Sequence, residues 1–397
     1  MDFPENEYRS RAARAGALME ELGMDAVLVS GDSTAAHNYR YFSGHTPRNF
    51  QATSGRPHLL LLTREGGAAA CVNVFSEATA RLGWVPEIHT YAQPFGHRDA
   101  LALFERLGVT RGRVGLEAGL DQRVMMPLLE LERLEEALPG CAWIDAAPLI
   151  WRIRMVKSPA ELERLRRAHD INGRALARTF AEAERGMSER QLYDLCSRSL
   201  IDAGSNEPPF AQMTISSSVR HRGRGVITPF AGPIEEPLQT GDTVFLDTGA
   251  ICDGYWGEFG RMAVMGEPTD DQRRDHDLAR TLVRRSIEEA LRPAITAEQA
   301  MRIALEAFAE EGFGNGKLTP YDRFPYFHIG HGLGLQSSEP PLVRLTDDTP
   351  LEAGMVLSVE VYVKTPEMQY GSEETVVLTE HGCELLSDPD RGLVTIA

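Results

Sequence analysis

Asp247, Glu258, His331, Glu360 and Glu373 are the residues of this 397-residue chain whose types and order could do chemistry together. Four carboxylates and one imidazole suit a pair of divalent cations, because hard oxygens bridge such ions and a single imidazole tunes them. Taken singly, each acid reads as a solvated surface group. Their settings argue otherwise: FLDTGAICDGYWGEFGR, HIGHGLGL, LEAGMVLSVEVYV and GSEETVVL put them on or beside apolar, β-prone runs, where an unpaired charge is costly. Asp247 ends TVFLD and Glu258 follows eleven residues later, past a turn at Gly254, so a hairpin returns the second acid beside the first. Glu360 and Glu373 are thirteen residues apart across a loop containing Pro366, a second such pair. Two acid-bearing hairpins facing one another could hold two metals about 3.5–4 Å apart. His331 lies between glycines, in what reads as a loop that lets backbone approach metal or substrate closely.

The elements that must position these groups fall into two blocks. Residues 1–152 alternate helix and strand signals: a helix over 8–22, a strand over 24–31, two strands around the Gly-Gly turn of HLLLLTREGGAAACVNV, then helix, strand, helix and strand to about 145. This predicts an α/β domain. The second domain, residues 153–397, opens at WRIRMVKSPAELERL, where Ser158, Pro159 and Glu161 supply a cap, a first-turn proline and a capping-box acid. Further helices are expected over 188–204, 269–291 and 296–312. Strands lie between and after them, which predicts an α+β domain with helices on one face of an antiparallel sheet.

A net charge of −17 argues against nucleic acid and against an anionic membrane surface as partners. RHRGRG at 220–225 is the only dense basic run and reads as a solvated turn. No stretch approaches a membrane span, and the first residues carry no signal-peptide pattern. The five cysteines are odd in number and show no CxxC pairing, which fits a reducing compartment; the expected location is the cytoplasm.

With these motifs in hand, residues 155–397 resemble the pita-bread metallopeptidase family, which includes creatinase, prolidase, aminopeptidase P and methionine aminopeptidase. VKSPAELERLRRA resembles the family's entry helix, and LDTGAICDGYWGEFGR its acid-bearing strand pair. GHGLGL, GMVLSVE and SEETVVLTEHG match its histidine and glutamate motifs. The residues around YRYFSG resemble the creatinase-type amino-terminal domain. The resemblance implies an α+β pita-bread catalytic domain preceded by a smaller α/β creatinase-type domain. It also implies two divalent ions (manganese, zinc, iron or cobalt) on Asp247, Glu258, His331, Glu360 and Glu373, with the second and fifth of these bridging, and a homodimer. Glu360 is the candidate to carry a proton to the leaving group.

Two positions depart from the family pattern. Glu258 stands where aspartate is usual, and Ser338 stands where peptidases carry a second histidine, leaving a neutral hydroxyl as the catalytic candidate there. Arg344, ten residues before the glycine of GMV, has the spacing of a substrate-carboxylate arginine in creatinase; Arg48 and Arg56 are further substrate-binding candidates. The expected function is metal-dependent hydrolysis of a C–N bond, amide or Xaa-Pro, in a small carboxylate-bearing molecule. The alternatives are a lyase acting on a zwitterionic acid such as dimethylsulfoniopropionate, a metal-free creatinase-like hydrolase and, last, a non-catalytic binding module.

Overall fold

A computed structural model describes residues 2–47, 56–207, 214–221, 232–312, 328–365 and 368–397; at 214, 216, 220 and 221 only the backbone is described. The chain divides into two compact units, Met1–Arg154 and Met155–Ala397.

In the first unit, β1 (Ala26–Gly31), β2 (His58–Thr63), β3 (Ala68–Asn73), β4 (Glu87–Tyr91), β5 (Gly112–Leu116) and β6 (Cys141–Asp145) form one sheet in the order β4-β3-β2-β1-β5-β6. β2 pairs antiparallel with β1 and β3, and the other neighbours run parallel. Helices α1 (Glu5–Leu22), α2 (His37–Ser43), α3 (Glu77–Ala80), α4 (His97–Leu107), α5 (Leu128–Ala137) and α6 (Ala147–Met155) alternate with the strands. Continuous apolar runs such as HLLLLT are fully buried, as sheets covered on both faces require. Just past β5, Glu117 is buried, and burial pushes its carboxyl up to about 7. Its oxygens accept hydrogen bonds from Ser30 N, Ser30 Oγ and Asn38 Nδ2 at 2.6–2.7 Å.

The second unit carries α7 (Pro159–Glu182), α8 (Glu189–Ala203), α9 (Asp270–Arg285) and α10 (Ala297–Glu310). Each begins at a capping box, formed by Ser158 with Glu161, Ser188 with Gln191, Thr269 with Gln272 and Thr296 with Gln299. Strands β7 (Thr214–Ser217), β8 (Thr243–Cys252), β9 (Tyr255–Met265), β10 (Gly330–Gly332), β11 (Glu339–Leu342), β12 (Val356–Lys364), β13 (Gln369–Thr379), β14 (Gly382–Leu385) and β15 (Val394–Ile396) build two sheets, not one. Their orders are β11-β10-β12-β13-β14 and β15-β9-β8-β7, with β15 parallel to β9 and every other pair antiparallel. The expected single antiparallel sheet is corrected here, because strands of three or four residues carry too little period to be read. His331 likewise sits in strand β10 instead of a loop.

Helix α7 buttresses β8 and β9. Its buried residues Leu165, Ala168, Ile171, Ala175, Leu176 and Phe180 recur at three and four, one face of a 3.6-residue helix. Each larger side chain among them contributes about 1.5–3 kcal/mol by burial. The approach is close: a Cβ on Gly257 would lie 2.2 Å from Ala168 C and His169 N. Asn172 ties the helix to β8, donating to Thr248 O at 2.9 Å and accepting from Thr248 Oγ1 at 2.8 Å.

Candidate metal centre

Strand register decides which acids meet. In the β8–β9 hairpin Asp247 pairs with Gly260 and Glu258 with Gly249, so the acids are diagonal neighbours on one face, each opposite a glycine. Gly260 has no room for a side chain, since a Cβ there would lie 2.2 Å from Phe245 Cζ. In the β12–β13 hairpin Glu360 pairs directly with Glu373. Like charges so placed repel, a cost that a cation between them would reverse. β10 brings His331 opposite Ser358, on the same face as Glu360 two residues along. Finally β9 packs against β13, which joins the two hairpins.

One ligand atom from each of Glu258, His331 and Glu373 lies within 4.8 Å of the other two. Asp247 and Glu360 act electrostatically on both glutamates. Burial pushes Glu258 well above the usual carboxylate range, and Asp247 and Glu360 push it further. Glu373 is raised by burial and then by Asp247, Glu258 and Glu360, while the Ser358 hydroxyl, donating at 2.6 Å, opposes the shift. Glu258 Oε2 and Glu373 Oε2 are buried and have no hydrogen-bond donor among the described residues. A crowd of carboxylates with orphaned oxygens fits divalent cations, which replace the missing donors. His331 Nδ1 lies 3.1 Å from Gly332 O; donation there leaves Nε2 as the free lone pair, the form that ligates metal.

Two side chains belong to this cluster that sequence reasoning missed. His328 Nδ1 lies 3.9 Å from Glu360 Oε1, and its ring meets His331 edge-on at 5.6 Å. Burial lowers the His328 pKa; Glu360 opposes this, while His331 and Arg344 add to it. The signal was its place three residues before His331. Tyr362 donates its hydroxyl to Glu360 Oε2 at 2.8 Å. Period-two alternation from Glu360 would have found it.

The remaining candidates separate. Arg344 comes near the cluster, as its charge acts on His328, and its Nε is buried with no partner among the described residues. Ser338 does not join the acids: it is exposed. The next residue, Glu339, pairs with Gly332 and turns inward to a buried ion pair with Lys157 at 3.0 Å, whereas Ser338 lies in the bend just before β11. Arg56, half-buried, belongs to the first unit. Arg48, Pro366 and residues 222–225 lie outside the described residues, as do the side chains at 220 and 221.

The Metallopeptidase family M24 model matches residues 163–380, and the Creatinase/Prolidase N-terminal domain model matches residues 11–156. The chain belongs to metallopeptidase family M24. It is 28% identical to a Xaa-Pro dipeptidase of Pyrococcus furiosus over 245 residues, 61% of this chain and 66% of that protein. It is 27% identical to a Xaa-Pro dipeptidase of Lactobacillus helveticus over 256 residues, 64% of this chain and 65% of that one. The matches thus span just under two thirds of each relative. Among solved structures, dipeptidase PepE from Mycobacterium ulcerans superposes with a TM-score of 0.80 at 24% identity, covering 99% of both chains. An X-Pro aminopeptidase from Thermotoga maritima gives 0.79 at 22% identity, covering 97% of this chain and 99% of its own. The fold is therefore a creatinase-type amino-terminal domain followed by a pita-bread catalytic domain.

Proposed function

We propose that this protein is a binuclear metallohydrolase that cleaves a C–N bond, amide or Xaa-Pro, in a small substrate bearing a carboxylate. The observation that carries the reading is the buried crowd of acids around His331, with Glu258 Oε2 and Glu373 Oε2 lacking donors among the described residues. Asp247, Glu258, His331, Glu360 and Glu373 would hold two ions, manganese being the first to try. Bound there, the ions would supply Lewis acidity, lowering the pKa of water and polarising the carbonyl under attack.

The chain's own residues do the rest. The Glu360 carboxylate takes a proton from the attacking water and passes it to the leaving nitrogen as the C–N bond breaks. Arg344 receives the substrate carboxylate, for which its planar guanidinium is shaped. His328, held neutral by burial, offers an N–H to a substrate oxygen, a role for which Ser338 is turned the wrong way. The dipeptidase names of the relatives support the peptide version of the substrate.

The test is a steady-state assay of the manganese-loaded protein against Xaa-Pro dipeptides and N-acyl amino acids. Hydrolysis of one class is expected, with kcat lowered about 10²–10⁴-fold in Glu360→Gln. A metal-loaded protein that turns over neither class, or a Glu360→Gln variant as fast as wild type, contradicts the proposal.

A further inference from the structure

Tyr362 stands two residues past Glu360 on the same face of β12, and its ring has been given a place of its own. Directly opposite on β13 is Gly371, where a Cβ would lie 2.7 Å from Tyr362 Cε1 and 3.2 Å from Phe245 Cε2. Phe245 meets the Tyr362 ring edge-on at 5.7 Å and 85°, and Gly260 clears the space beneath Phe245. Two glycines on two strands therefore make room for one aromatic pair. A ring packed in this way holds its hydroxyl at a fixed point, and that point is 2.8 Å from Glu360 Oε2.

A glutamate side chain has three rotatable bonds and two equivalent oxygens, so left alone it would present either oxygen, or both, to a cation. The phenol removes that freedom. We propose that Tyr362 is a positioning residue of the metal centre: it holds Glu360 Oε2, so that the carboxylate is fixed with Oε1 presented to a cation. The proposal rests on the metal-centre reading above and adds to it a side chain that is not itself one of the five ligands.

Tyr362→Phe removes the hydroxyl and keeps the ring. Metal-free wild type and variant are titrated with Mn²⁺ by calorimetry, and their kinetics are compared on the best substrate found. The variant's apparent dissociation constant is expected to rise about tenfold or more. Its kcat should fall while KM stays within about twofold, and the metal-free melting temperature should hold, which separates positioning from a structural role. Gly371→Ala provides an independent arm: it keeps the hydroxyl but pushes the ring by its Cε1 edge, and it should weaken Mn²⁺ binding in the same direction. A Tyr362→Phe protein that binds Mn²⁺ with wild-type affinity and turns over at wild-type kcat overturns the inference alone. If that variant does not fold, unchanged Mn²⁺ affinity in Gly371→Ala overturns it. Wild-type protein that takes up no Mn²⁺ overturns the metal-centre reading and the inference with it.

Discussion

Glu117 and the pair Glu258 and Glu373 are acids with buried carboxyl oxygens that differ in the donors each meets. Glu117 has three hydrogen bonds to its oxygens, which oppose the upward push of burial. Glu258 and Glu373 each keep an oxygen without a donor among the described residues and face other carboxylates. The consequence for pH has a definite sign. A carboxyl raised in the fold contributes stability that is fully present below its unfolded pKa, about 4.3, and lost as pH rises through the folded value. Metal-free protein should therefore melt at falling temperature as pH is raised above about 5, and saturating Mn²⁺ should make that slope shallower. Thermal melts across pH with and without metal check this; parallel slopes would count against it. At Arg344, Arg344→Ala should raise KM for carboxylate-bearing substrates about tenfold or more, the weight of one charged hydrogen-bonded contact. The same variant should treat a substrate whose carboxylate is amidated no worse than wild type does. Equal loss on both substrates would place Arg344 outside the carboxylate contact. At this scale the sequence was most readable in the five acid and histidine positions, whose settings in apolar runs marked them out. Ser338 is exposed in the bend before β11, a placement its neighbours in sequence do not reveal.

At the scale of elements, the hairpins set the spacing of the acids and α7 sets the position of the β8–β9 hairpin. Gly257 is the tightest point of that contact, and the atoms it faces are helix backbone, which cannot swing aside. Gly257→Ala should cost on the order of 2–3 kcal/mol, lowering the melting temperature by about 5–10 °C. An unchanged melting curve would show that the helix is not held where it lies. Helices of this unit were legible because their ends are written locally, in Ser158-Pro159-Glu161 and the three later capping boxes. The long acid-bearing strands were legible too. What could not be read was the division into two sheets, because β7, β10, β11 and β15 are each only three or four residues long and β15 pairs with β9, far back along the chain. His331 looked like loop for a related reason. Gly330 and Gly332 permit a strand that passes 2.5 Å and 2.2 Å, measured from their would-be Cβ positions, from the Ser358 and Pro340 carbonyl oxygens.

At the scale of the whole molecule, the two family-model matches fall one in each compact unit, apart from a residue or two at the join. Among the described residues, no helix is long and apolar enough to cross a membrane. A homodimer is proposed from the family resemblance, and sedimentation equilibrium should return about twice the chain mass of 43.9 kDa; a species at the chain mass would contradict it. The central claim, however, is that the acids around His331 exist to hold two cations. Its most direct test is elemental analysis of protein reconstituted with Mn²⁺ and freed of excess metal. About two ions per chain are expected in the wild type and at most about one in Glu373→Gln. Wild-type protein that retains no metal, or a Glu373→Gln variant that retains as much as the wild type, would contradict it.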